Sequence, residues 1–120
     1  MSAQDTVNEL VDRINSKDLD GVMALYEPEA VFAVKPGEVV KGTKAIREIF
    51  SRLLKAGITI EVEKSAIIDA GDIATCINRT HVKGGGYGSE PLLSFDVLRK
   101  QANGKWLFLI DNGSGTGFLK

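Results

Sequence analysis

Ser94-Phe-Asp-Val-Leu-Arg-Lys-Gln-Ala-Asn-Gly-Lys-Trp-Leu-Phe-Leu-Ile-Asp-Asn112 sets two runs of β-forming residues on either side of Asn103-Gly104. Asn-Gly is the strongest short-range hairpin signal, because a type I′ turn needs positive φ at both central positions. A two-residue turn puts Ala102 opposite Lys105 and sets the register by counting. Leu98 then faces Leu109, Val97 faces Ile110, and Asp96 falls opposite Asp111. Side chains alternate across a strand, so one face of the hairpin carries Leu98, Leu107, Leu109 and the two aspartates. The other carries Phe95, Val97, Trp106, Phe108 and Ile110. Both faces are apolar, so both need covering. The first reads as the wall of a pocket, the second as a surface for another layer or another subunit.

Working outward, the upstream chain supplies helices. Val7, Leu10, Val11 and Ile14 recur at helical spacing, with Thr6 and Glu9 placed as a capping box. Ser16 or Asp18 caps a second short helix through about Tyr26, which Pro28 stops. Ala30–Val34 forms a short apolar strand ended by Pro36-Gly37, with Val39-Val40 as a brief return. Gly42-Thr43 opens the clearest helix, whose stripe is Ala45, Ile46, Ile49, Phe50, Leu53 and Leu54, and Gly57 ends it. From Ile58 onward the pattern is strand, turn, strand. Three N-terminal helices followed by an antiparallel sheet make an α+β domain spanning 1–120.

Composition narrows the function. A chain of 120 residues forms one domain and buries about two-thirds of its unfolded surface. Lys+Arg 15 against Asp+Glu 16 leaves no basic excess of the kind nucleic acids or anionic membranes attract. No apolar run reaches the length of a membrane span, and the start carries no secretory pattern, so a cytoplasmic location is expected. One histidine (His81) and one cysteine (Cys76) meet no zinc spacing, so no metal is expected, and no cofactor. The glycine-rich stretches 84–88 and 113–117 lack the strand before and helix behind that phosphate loops need.

The aspartate pair is the sharpest chemical feature. Two like charges ~5 Å apart at an effective dielectric of about 20 repel by roughly 3 kcal/mol, about two pKa units. One carboxyl should therefore keep its proton while its neighbour ionises, giving a donor and a base side by side. A longer turn would shift the register and separate them.

The stretch from Val7 to Phe32, the stretch Lys41-Gly-Thr-Lys-Ala-Ile-Arg-Glu-Ile-Phe50, and the closing Gly104-Lys-Trp-Leu-Phe-Leu-Ile-Asp111 resemble a nuclear-transport-factor-2-like domain, the superfamily of ketosteroid isomerases and SnoaL-like cyclases. The resemblance implies a cystatin-like, ketosteroid-isomerase-like α+β barrel. In it a curved antiparallel sheet and the helices enclose a conical pocket, and the domain is a homodimer through the convex face. It puts Cys76, Asn78 and Thr80 toward the pocket and Ile77, Arg79 and His81 away from it. The isomerases' oxyanion-donating tyrosine matches Leu10, their proton-shuttling carboxylate matches Val34, and their protonated aspartic acid matches Asp96, so that mechanism is not expected. Tyr26 matches a pocket-floor tyrosine. The resulting expectation is an enzyme of the SnoaL-like type. Asp96 and Asp111 would move protons on an apolar, oxygen-bearing small molecule, in an isomerisation, cyclisation or dehydration. Tyr26, Val34, Phe50, Cys76, Asn78, Thr80, Leu98 and Leu109 would line the ligand. The alternative is a non-catalytic ligand-binding or dimerisation module of the same fold.

Overall fold

The computed structural model describes residues 1–88 and 90–119. In chain order the elements are α1 (Ala3–Asn15), α2 (Leu19–Met23), β1 (Tyr26–Lys35), β2 (Glu38–Lys41), α3 (Thr43–Lys55), β3 (Thr59–Asp69), β4 (Ile73–Lys83), β5 (Leu92–Lys100) and β6 (Trp106–Asn112), followed by a 3-10 turn over Gly115–Leu119. Three helices on one sheet give the α+β class read from the sequence. Among the described residues no helix is long and apolar enough to cross a membrane.

α1 starts one turn earlier than its apolar spacing suggests. Ser2 is the cap, and Ser2 and Asp5 form the reciprocal capping box in place of Thr6 and Glu9. Thr6 is instead fully buried, and its hydroxyl donates to the Trp106 carbonyl at 2.8 Å, tying α1 to β6. Asp18 caps α2, which ends at Met23, so Tyr26 opens a strand rather than closing a helix. Pro28 lies inside β1. A proline cannot supply a ladder N–H, and the β1–β6 pairing accordingly skips from Tyr26 to Val31 there.

The sheet runs β2-β1-β6-β5-β4-β3. It is mixed rather than wholly antiparallel, because β1 and β6 pair in parallel. The cause is the α3 crossover. β2 enters α3 at one edge of the sheet and β3 leaves it at the other, running in the same direction as β2. Three hairpin reversals later, β6 must run with β1.

The closing hairpin departs from counting twice, and the departures cancel. Gly104 N–H donates to the Gln101 carbonyl at 2.9 Å and Gln101 N–H to the Lys105 carbonyl at 2.7 Å. The loop is therefore three residues, Ala102 to Gly104, with Gly104 at φ +85°, the form that follows a type I turn with a glycine bulge. Near the turn this pairs Lys100 with Trp106 and Leu98 with Phe108. Leu109 is then an extra residue on β6, a β-bulge, and beyond it Val97 meets Ile110 and Asp96 meets Asp111.

The bulge reverses the facing of the residues before it. Trp106 and Phe108, expected on the outer face, are buried in the core with Leu98. Leu109, expected to line a ligand, is half-buried and outside the cavity wall. A second bulge at Glu63 does the same service on β3, keeping Ile60 and Val62 and then Ser65 and Ile67 on the inner side. At the outer end, the nearly buried Glu27 carboxylate accepts from Arg99 Nε at 2.9 Å and Nη2 at 2.5 Å and from Gln101 Nε2 at 3.2 Å. These bonds hold the Glu27 carboxyl below the usual carboxylate range.

Candidate active site

Between the helices and the inner face of the sheet lies a cavity of about 440 Å³, within the size range of small-molecule sites. α1 contributes Val7, Leu10, Val11 and Ile14, the residues its helical periodicity singled out, and α3 contributes Ile49, Phe50 and Leu53. Phe32 and Phe108 close the apolar part, with Phe32 edge-on to Phe50 at 5.4 Å. Tyr87, in the glycine-rich β4–β5 connection, also lines the wall. Among the described lining residues there is no Lys, Arg or His. Nor do the described residues gather three His, Cys, Asp or Glu that could hold a metal ion.

The polar end is a single hydrogen-bonded chain. The Tyr26 hydroxyl donates to Asp111 Oδ2 at 2.5 Å. Asp111 lies between Asp96 on β5 and Phe32 on β1. Asp96 takes hydrogen bonds from Asn78 Nδ2 at 3.1 Å and from the Asn112 N–H at 3.3 Å. Asn78 Nδ2 also donates to Ser94 Oγ at 3.2 Å, while its Oδ1 accepts from Ser65 at 2.5 Å and from the Cys76 thiol at 3.3 Å. Ser65, Asn78 and Ser94 face one another across β3, β4 and β5, so one row of the sheet is built as a polar strip.

Burial and charge set the protonation of this chain. Asp96 and Asp111 are 5% and 8% exposed. Removal from water raises Asp96 well above the ordinary carboxyl range, and the neighbouring Asp111 charge raises it further. Burial also raises Asp111, but hydrogen bonds from Tyr26 and Asp96 oppose that rise. The pair therefore keeps a proton above the ordinary carboxyl range, shared between Asp96 and Asp111. Burial, then the Asp111 charge, pushes the Tyr26 hydroxyl well up, so it stays a donor. The Cys76 thiol is pushed up to about 11, chiefly by burial, which leaves it no role as a nucleophile near neutrality.

Of the residues singled out in the sequence, Asp96, Asp111, Val34, Phe50, Asn78 and Thr80 line the cavity. Tyr26 sits behind the wall, stacked on Phe108 at 5.1 Å, and reaches the site through its hydroxyl. Cys76 and Leu98 are buried beneath the wall, and only Leu109 is turned out of it. Sequence reasoning missed Phe32, Phe108, Ser65 and Ser94. Ser94 carried a signal, since it is a small polar residue in phase with Asp96 and Leu98; Ser65 carried none, because it is the bulge at Glu63 that turns it inward. Phe108 carried none, because nothing local marks the bulge.

The geometry can be set beside known proteins. The SnoaL-like domain family matches residues 7–108. The chain belongs to the SnoaL-like family. Among curated proteins none matches it. Solved structures with the same fold include a protein of unknown function with a cystatin-like fold from Nostoc punctiforme (18% identity, 90% of this chain and 84% of that chain, TM-score 0.73). A candidate ketosteroid isomerase from Shewanella frigidimarina superposes with TM-score 0.76 at 20% identity, covering 89% of each chain. A candidate dehydratase of the nuclear-transport-factor-2-like family from Streptomyces avermitilis does so with TM-score 0.71 at 16% identity, covering 88% of this chain and 87% of that one. At these identities the likeness establishes the fold. Within this SnoaL-like domain, Leu10 and Val34 are apolar members of the wall.

Proposed function

We propose that this SnoaL-like protein is a small-molecule enzyme that moves protons on an apolar, oxygen-bearing ligand, in an isomerisation, cyclisation or dehydration. The observation that carries the reading is a pair of buried carboxyls set opposite each other at the polar end of an otherwise apolar cavity, both raised above the ordinary carboxyl range. The Asp111 carboxylate takes a proton from the ligand, and Asp96 delivers its own to a second ligand atom. The proton now on Asp111 then returns to Asp96 across their hydrogen bond, so the pair ends as it began. Tyr26 and Asn78 hold the two carboxyls in place.

The benzaldehyde–acetone aldol, an apolar hydroxy ketone, tests this in D₂O. The protein is expected to accelerate deuterium uptake at the carbon between carbinol and carbonyl, read by proton NMR. Asp111→Asn is expected to slow it by about 100-fold or more, the usual worth of a positioned base. Exchange no faster than in buffer, with saturable binding of the probe, would instead support a non-catalytic binder. That second reading is favoured by the completeness of the network, since every buried side-chain polar atom described has a partner.

The same reading includes a homodimer. The sheet face away from the helices carries Ile77, Leu93 and Ile110, each more than a third exposed, around the half-buried Phe95 and Val97. Cross-strand pairs Ile77–Phe95 and Val97–Ile110 make this patch continuous, and such patches are characteristic of interfaces. Ile110→Arg is expected to shift sedimentation at ten-micromolar protein, on the order of ordinary association constants, from dimer to monomer. A wild-type monomer under those conditions would remove the dimer.

A further inference from the structure

We infer that the polar end of the cavity recognises a ligand hydroxyl, as alcohol, enol or phenol, in preference to a carbonyl oxygen. The inference rests on the cavity being the ligand site and goes further by naming the group that docks there.

Donors and acceptors are unequally used at this end of the cavity. Every hydrogen carried by the carboxyl pair and by the groups bonded directly to it is already committed. Tyr26 donates to Asp111, the shared proton lies between Asp96 and Asp111, and the two amide hydrogens of Asn78 go to Asp96 and Ser94. Ser65 and Cys76 both donate to Asn78. Acceptor capacity is left over. A carboxylate offers about four lone-pair sites; at Asp111 the Tyr26 hydroxyl fills one, and the proton shared with the opposite Asp96 takes a second.

An incoming hydroxyl adds a third donor to a buried anion and disturbs nothing. An incoming ketone has only acceptors to offer. To be satisfied there it must take the Asp96 proton away from Asp111, leaving that carboxylate with Tyr26 alone and the ketone oxygen facing a less-compensated charge. Leaving a buried group short of a partner costs more than a typical hydrogen bond gains. Thr80 and Ser94 do carry hydroxyls on the wall. Thr80 lies one inward position beyond Asn78 along β4, and Ser94 lies one inward position before Asp96 on β5. A carbonyl could be met there, away from the carboxyl pair. A carboxylate ligand fares worse than either, because no described lining residue is basic and Asp111 repels it.

Three probes of one shape decide the matter by isothermal titration calorimetry: benzylacetone, the secondary alcohol made by reducing it, and hydrocinnamate. The alcohol is expected to bind about tenfold more tightly than the ketone, a difference of 1.4 kcal/mol, with hydrocinnamate weakest. Asp111→Asn, checked for folding by near-ultraviolet circular dichroism, is expected to bring alcohol and ketone together, since an amide offers both a donor and an acceptor. The wild-type comparison stands by itself should that variant not fold. Ketone binding as tight as the alcohol, or tighter, overturns the inference and leaves the enzyme reading intact. Binding of none of the three defeats both, because the cavity would then not be a site for apolar ligands of this size.

Discussion

Phe108→Ala is expected to cost 3–5 kcal/mol of folding stability, the usual penalty for emptying a large aromatic site. Phe108 is 1% exposed, stacks on Tyr26, pairs with Leu98 and forms part of the cavity wall. Its loss removes contacts from β1, β5 and β6 together and leaves a hole the rigid sheet cannot close. Domains of this size hold only about 5–15 kcal/mol in total, so the melting temperature should fall on the order of 10–20 °C. Leu109→Ala, one residue on, should cost about 1 kcal/mol or less, because that side chain sits half-exposed at the bulge. Thermal melts of the two variants side by side check the reversal of facing. A simple alternating strand read from a two-residue turn would give the opposite order.

The second large effect is on pH. Asp96 is raised well above 3.8 in the folded protein, and Asp111 is raised too. A carboxyl with a raised folded pKa binds protons more tightly folded than unfolded. Its contribution is complete below about 3.9 and is lost as pH climbs toward the folded value. Each such group removes up to about 1.4 kcal/mol per pH unit across that window. Glu27 acts in the opposite sense. Its carboxyl is lowered by Arg99, so what it contributes above 4.5 is lost as the solution turns acid. Stability should therefore decline from mildly acid toward neutral pH as well as at the acid extreme. Asp96→Asn keeps a donor facing Asp111 and has nothing to ionise. Its melting temperature between pH 5 and pH 8, a span about the carboxyl and histidine ranges, should be flatter than that of the wild type and higher at the upper end. Parallel curves would mean the pair is not the source of the slope.

Much of the fold was legible because its signals are local. Helical spacing in Val7, Leu10, Val11 and Ile14 marked a face that does point into the cavity. The stripe on Ile46, Ile49, Phe50 and Leu54 likewise marked a buried side of α3. Counting from the turn sets Asp96 opposite Asp111, and the structure pairs them. That agreement came through two compensating errors, a turn one residue longer and a bulge at Leu109. Neither has a local signature, since Asn-Gly serves both kinds of turn and Leu109 looks like any strand leucine. What the sequence could not offer was non-local. The parallel β1–β6 pairing follows from where α3 crosses. The Ser65–Asn78–Ser94 strip needs three strand registers at once. Tyr26 joins the acids only because β1 is laid beside β6.

The turn and the spare leucine act together as a slip joint. The tip of the hairpin is one residue out of step with its base, and the offset is absorbed before the acids are reached. Changes in loop length at the tip can thus be taken up by gaining or losing that surplus residue, leaving the frame of the proton-sharing pair undisturbed. Insertions on the far side of Leu109, between it and Asp111, have no such buffer and would uncouple the two carboxyls at a stroke.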